Sequence, residues 1–291
     1  MTFDRPGTID DLLTDGRTAG HHPTARLVRD WTERGLLDSP TLQPAGKGHG
    51  SRPALYTANQ RLLFVTLLDK RTQTTRIPAL ARVVVCIWLY WGDDYVPTRQ
   101  ARKAFLTWLG DPGDRGPRVN KKYARDCARA VLGQLDHPGA GKAARAHLLD
   151  LLAETSYTGR FDPHRVEEAI RAVFEPDHAP RYLGAPGAPL TVESVLRLIT
   201  ARSVAVDWLI DNRDDILAGH HDQRFIDARQ QHLLSFAEYI ALQPEFARTA
   251  TPSSDGMYLQ PNTQLMVDRC CTDVLTILGL HLDQRPEETH R

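Results

Sequence analysis

The chain has 291 residues, a length that is enough for two modest domains. A hydrophobic share of 41% and a charged share of 25% are ordinary for a globular protein and argue against disorder, collagen-like repeats or a coiled-coil fibre. The formal net charge of +0 conceals an asymmetry: residues 1–130 carry 21 Lys and Arg against 13 Asp and Glu, whereas residues 131–291 carry 15 against 23. We therefore expect one half of the chain to bind an anion.

The first predicted elements are two helices joined by a turn. Thr8 caps a short helix to Asp15, residues 16–23 form the turn, and Thr24 caps a second helix that Gly35 ends in a left-handed conformation. The buried face of the second helix is predicted to consist of Leu27, Val28, Trp31 and Leu36.

A basic, glycine-rich segment over residues 38–53 predicts a wing between two short strands. A third helix starts after Thr57, and another helix spans residues 98–109. Between them, the aromatic and apolar residues 77–94 are predicted to be core that closes the N-terminal unit. The inward side of the third helix is predicted to carry Leu62, Leu63, Val65, Thr66, Leu67 and Leu68. The helix over residues 98–109 is predicted to have Arg99, Arg102 and Lys103 on one side and Phe105, Leu106 and Leu109 on the other.

The clearest break in the chain is the Gly- and Pro-rich segment 110–120. Beyond it, the pattern predicts helices at 120–136, 140–155, 162–175, 191–217, 222–242 and 262–282. We expect a mainly α protein, with a winged helix-turn-helix domain at residues 1–110 and an all-α domain at residues 111–291.

The helix-turn-helix order predicts contacts to double-stranded DNA. Thr24, Arg26 and Arg29 lie in the first half of the second helix, where side chains reach base edges in the major groove, and Arg34 follows on its outer side. Lys47, His49 and Arg52 in the wing would contact the phosphate backbone. The alternative is an ordinary helical domain whose arginines are only solvated.

A second basic segment follows the break in the chain. It contains Arg118, Lys121 and Lys122 among its charges and could track phosphates beside the helix-turn-helix. A solvated linker that leads into a charged helix face explains the same pattern equally well.

The stretch TARLVRDWTERGLLDSP resembles the start of MerR-like winged helix-turn-helix proteins. The residues that match the pattern of that family are Thr24 at the cap, Arg29, Trp31, Gly35, Leu36, Leu37, Pro40 slightly late and, after the wing, Tyr56. Asp30 departs from the pattern, because the family has an aromatic residue there. The resemblance covers residues 8–75 and implies sequence-specific DNA binding by a homodimer on an inverted repeat, with Tyr56 part of the DNA-binding unit.

The chain carries no sequence motif for catalysis, a metal ion or a cofactor. HExxH, GxSxG and phosphate-loop motifs are absent, and the pairs His21–His22 and His220–His221 are poorly spaced for one metal ion. The cysteines Cys86, Cys127, Cys270 and Cys271 form no CxxC pair, which favours a reducing cytoplasm. The strongest apolar run, residues 83–91, is about half of a bilayer span, so no membrane association is expected.

The sequence thus predicts a non-enzymatic, cytoplasmic transcriptional regulator that binds DNA. Residues 111–291 would form a homodimer or sense a small-molecule or protein effector. Two alternatives stay open: a DNA-binding accessory factor for excision, partition or replication of a mobile element, and a helical interaction scaffold.

Overall fold

The structure is a computed structural model that describes residues 3–42, 53–110, 121–158, 161–183, 190–249 and 262–283. The fold is mainly helical: 74% of the described residues are helical, and these residues form twelve helices and no strands. In the described ranges, isolated antiparallel bridges join Gly7 to Tyr56, Thr41 to Leu55, and Leu183 to Leu190. The expectation of a mainly α protein is confirmed.

The helices follow the predicted order closely. They are α1 (Ile9–Thr18), α2 (Ala25–Glu33), α3 (Ala58–Gln73), α4 (Ile77–Trp91), α5 (Thr98–Leu109), α6 (Lys121–Leu135), α7 (Lys142–Thr158), α8 (Pro163–Phe174), α9 (Val192–Asp211), α10 (Arg213–Ala218), α11 (Asp222–Thr249) and α12 (Thr263–Asp283). The predicted helix over 191–217 is instead two helices, because the chain leaves the helical conformation at Asn212, a residue type that favours helix caps.

Threonine side chains cap the starts of three helices, two of which, at Thr8 and Thr24, were predicted caps. The Oγ1 atoms of Thr8, Thr24 and Thr57 each accept a hydrogen bond from a backbone N–H of the first turn, at 3.3, 3.2 and 3.2 Å. Asp11 in turn accepts from the backbone N–H of Thr8 at 2.7 Å and completes a capping box on α1.

The prediction that α1 ends at Asp15 is wrong, because the helix continues to Thr18. Gly16 is helical and buried, and a Cβ atom there would lie 2.6 Å from Cγ of Pro23 and 2.9 Å from Cδ1 of Leu68. This glycine therefore allows close packing of α1 and does not begin the turn.

The chain contains two compact units. The first consists of Met1–Gly110, Asn212–Arg229 and Thr263–Cys271, and the second of Asp111–Asp211, Gln230–Asn262 and Thr272–Arg291. Both units are thus discontinuous in sequence. The domains expected at 1–110 and 111–291 stay a prediction.

Aromatic side chains form much of the core of the first unit. Trp31 of α2 meets Phe64 of α3 edge to face, with ring centroids 5.6 Å apart, and Phe105 of α5 meets Phe225 of α11 in the same way at 5.8 Å. Phe64 is fully buried, whereas Thr66, which was predicted to face inward, is exposed. The core side of α3 is therefore turned away from Thr66, and α2 packs against it through Trp31.

The second unit has its own hydrophobic core. The side chains at its centre come from helices α6 to α9 and include Leu135, Leu148, Val166, Ile170, Phe174 and Val192. Gly279 of α12 lies so close to the backbone carbonyl of Ala201 in α9 that no side chain fits between the two helices. Within the described part of the chain, none of the helices is long and apolar enough to cross a membrane.

Candidate nucleic-acid interface

Helix α2 has one buried face and one exposed, basic face. Val28 and Trp31 are fully buried, and Leu27 is partly buried. Arg26 and Arg29, one turn apart, are exposed on the other face, and Thr24 at the N-terminus is exposed as well. The structure therefore brings these three predicted residues together on one surface.

The turn before α2 is held against neighbouring helices. The backbone N–H of His21 donates to the carbonyl of Gly16 at 2.9 Å, and Nε2 of its ring lies 2.8 Å from Oδ1 of Asp69 in α3. Thr24, which directly follows the buried Pro23, then caps α2. These contacts fix where α2 begins.

The C-terminal end of α2 is fixed against α5. Gly35 has the predicted left-handed conformation, with φ of +72°, and a Cβ atom there would lie 2.7 Å from the backbone nitrogen of Ala104. The carbonyl of Arg34 accepts a hydrogen bond from Oγ1 of Thr107 at 2.8 Å. Both ends of α2 are therefore anchored, so its exposed face is presented on a rigid support.

The charges on α2 are not all equally available. Arg26 and Arg29 form no ion pair within the part of the chain that the structure describes. Nε of Arg34 instead donates to Oδ1 of Asp30 at 2.8 Å, four residues earlier on the same helix. The charge of Arg34 is therefore partly neutralised by Asp30. The sequence analysis did not predict this ion pair, although the i,i+4 spacing of the two residues could have revealed it.

Tyr56 is inside the first unit and not on the exposed face of α2. Its side chain is only 5% exposed, and its hydroxyl lies 3.3 Å from Oγ1 of Thr32. The ring packs in the core, its polar end has an internal partner, and the contact of Tyr56 with DNA stays a prediction. Its backbone bridges to Gly7, with N···O distances of 2.8 and 2.9 Å.

The other predicted DNA contacts are not on α2. Lys47, His49, Arg52 and Arg118 fall outside the described residues. Lys121 and Lys122 are exposed at the start of α6, which belongs to the second unit. Nζ of Lys121 lies 5.6 Å from the centre of the Tyr157 ring, in cation–π contact.

The predicted basic side of α5 is an ion-paired face. Arg102 is only 3% exposed and pairs with Asp222 at the start of α11. Burial lowers the pKa of Arg102, and the charge of Asp222 opposes that shift. Nε and Nη2 of Arg99 bind the carboxylate of Asp38 at 3.0 and 2.5 Å, which raises the pKa of Arg99. This side of α5 therefore stabilises the fold and offers no free row of cations.

No arrangement of side chains suitable for a metal ion is present among the described residues. Each predicted histidine pair has one member beside a carboxylate: His21 contacts Asp69, and Nδ1 of His220 lies 3.1 Å from Oδ1 of Asp215. These geometries are those of ordinary ion-pair or hydrogen-bond partners.

The chain matches no protein-family model, and no curated protein or solved structure is significantly similar to it. The resemblance of residues 8–75 to MerR-like proteins stays a prediction.

Proposed function

We propose that this protein binds double-stranded DNA at specific sequences and regulates transcription, with α2 in the major groove. The observation that carries the proposal is the exposed pair Arg26 and Arg29, which have no ion-pair partner among the described residues and lie on a helix anchored at both ends. Arginine is suited to this task, because its guanidinium can donate two parallel hydrogen bonds to guanine.

The neighbouring elements support a winged helix-turn-helix interpretation. Helix α1 braces α2 from the other side of a short turn, as the first helix of such a motif does. The antiparallel bridge between Thr41 and Leu55 pairs the backbone just before and just after residues 43–52, with N···O distances of 2.8 and 3.0 Å. A wing requires this kind of pairing at its base, and Lys47, His49 and Arg52 would then contact phosphates.

The second, helical unit would form the homodimer contacts or bind an effector. A two-fold symmetric protein matches an inverted repeat in DNA, with one α2 for each half-site. The net negative charge of residues 131–291 opposes indiscriminate attachment to DNA.

Footprinting of the full chain on the region upstream of its own gene tests the proposal. We expect protection of a short inverted repeat. The affinity of the protein for this repeat is expected to fall steeply as the salt concentration rises. Binding at an attachment or replication site instead would favour an accessory factor, and the absence of salt-sensitive duplex affinity would refute DNA binding.

Arg26→Ala provides the matching test of specificity. If Arg26 contacts a base, this change weakens binding to the protected sequence by about 1–3 kcal/mol and leaves binding to random duplex nearly unchanged. Arg197→Ala, at an exposed position of α9, removes an equal charge and serves as the control. Equal losses on specific and random duplexes would show that Arg26 contacts only phosphate.

A further inference from the structure

A small surface pocket lies at the turn that precedes α2. Its lining comes from this turn and from the last two turns of α3, and consists of His21, His22, Pro23, Leu68, Arg71 and Thr72. We call it the His22–Arg71 pocket. It is adjacent in sequence to Thr24, the residue that caps α2 and begins its exposed face.

The pocket is built by contacts that hold its walls in place. Pro23 and Leu68, both buried, form an apolar floor, and the backbone at Gly16 packs against both of them. The hydrogen bond from the ring of His21 to Asp69 joins the turn to α3. The hydroxyl of Thr72 donates to the carbonyl of Asp69 at 2.7 Å, which fixes that side chain as well.

The lining offers hydrogen-bond donors and positive charge but no carboxylate. Arg71 and His22 are exposed at the rim, and Arg71 has no ion-pair partner in the ranges that the structure describes. The carboxylate of Asp69 is engaged by His21. The guanidinium of Arg71 and the imidazole of His22 are groups that bind phosphate oxygens in proteins, whereas the hydroxyl of Thr72 is already used by the carbonyl of Asp69.

We propose that the His22–Arg71 pocket binds a phosphate group. This inference rests on the proposed function. If α2 enters the major groove, the DNA backbone beside that groove would supply the phosphate, as a phosphodiester. The contact would set the register of α2 on the DNA without reading sequence, and the N-terminal end of the α2 dipole would favour the same negative charge. A free phosphate ion has the same chemistry and is the second source to be tested.

The test compares Arg71→Gln with Arg197→Gln in the full chain, by measuring duplex affinity over a range of salt concentrations. For Arg71→Gln we expect an equal loss on specific and random duplexes and a salt slope smaller by about 1, the effect of one phosphate contact. Arg197→Gln is expected to leave both quantities unchanged. Far-ultraviolet circular dichroism verifies that each variant is folded.

The outcomes separate this proposal from the proposed function. If the wild type binds duplex and Arg71→Gln has the affinity and slope of Arg197→Gln, the phosphate pocket is refuted while DNA binding stands. If the wild type binds no duplex, the proposed function fails, and inorganic phosphate is titrated while the ring signals of His21 and His22 are followed by NMR. Saturable shifts that Arg71→Gln abolishes would support a pocket for free phosphate, and unchanged signals would refute the pocket.

Discussion

At the scale of single residues, Asp30 sets the charge that α2 presents. It holds Arg34 at 2.8 Å on the same helix, and it stands at the position where the resemblance to MerR-like proteins would place an aromatic residue. Both side chains are well exposed, so the ion pair adds little to the stability of the fold. Its main effect is on the electrostatic potential of the candidate interface.

Asp30→Asn is therefore expected to strengthen DNA binding without changing the fold. The substitution removes a negative charge from α2 and releases Arg34, which can then contact one more phosphate and steepen the salt slope by about 0.9. Affinity measured over a range of salt concentrations checks this. Glu33→Gln, an exposed neighbour, is the control for loss of negative charge alone, and equal slopes in both variants would contradict a release of Arg34.

At the scale of elements, a chain of buried amides joins α3 and α5 to the segment after α2. Oε1 of Gln60 accepts from the backbone N–H of Asp38 at 2.8 Å, and its Nε2 donates to Oε1 of Gln100 at 2.7 Å. Gln100 donates onward to the carbonyl of Leu36 at 3.1 Å. The network fixes how the end of α2 meets the two helices behind it.

Gln60→Leu should destabilise the first unit, because it leaves the N–H of Asp38 and an oxygen of Gln100 buried without a partner. The expected loss is about 1–3 kcal/mol in the free energy of unfolding, measured with denaturant. Gln73→Leu on the exposed end of the same helix should change it by less than about 0.5 kcal/mol. A loss as small as that of the control would show that the amide network contributes little.

The elements also show which features the sequence could predict. The starts of α1, α2 and α3 were predictable, because a threonine cap acts on the next few residues, and the exposure of Arg26 and Arg29 follows from helical periodicity. Features that depend on distant partners were not predictable. The burial of Gln60 requires partners on other elements, and that of Tyr56 requires the fold to place Thr32 beside it.

At the scale of the whole molecule, the first unit is completed by segments from much later in the chain. Asp222 neutralises the buried Arg102, and Nε of Arg229 donates to the carbonyl of Trp88 at 2.9 Å. The thiol of Cys270 donates to the carbonyl of Arg82 at 3.3 Å. Hydrophobic patterning locates these helices in the sequence but does not indicate which unit their residues join.

A fragment of residues 1–110 is accordingly expected to be less stable than the same residues in the full chain. It lacks Phe225, which packs on Phe105, and it lacks Asp222, the partner carboxylate of Arg102. Thermal unfolding followed by circular dichroism should give a lower midpoint for the fragment. Asp222→Asn in the full chain should shift the midpoint in the same direction, and a fragment as stable as the full chain would refute the role of the later segments.

The first unit is made of segments that are far apart in sequence, so the ribosome synthesises them at different times. Residues 263–271, which complete the unit that contains α2, are synthesised long after residue 110 has emerged. At about 5–20 residues per second, the early helices wait roughly ten to thirty seconds for their last partners. A nascent chain thus completes the unit that contains α2 only after residues 263–271 have been made.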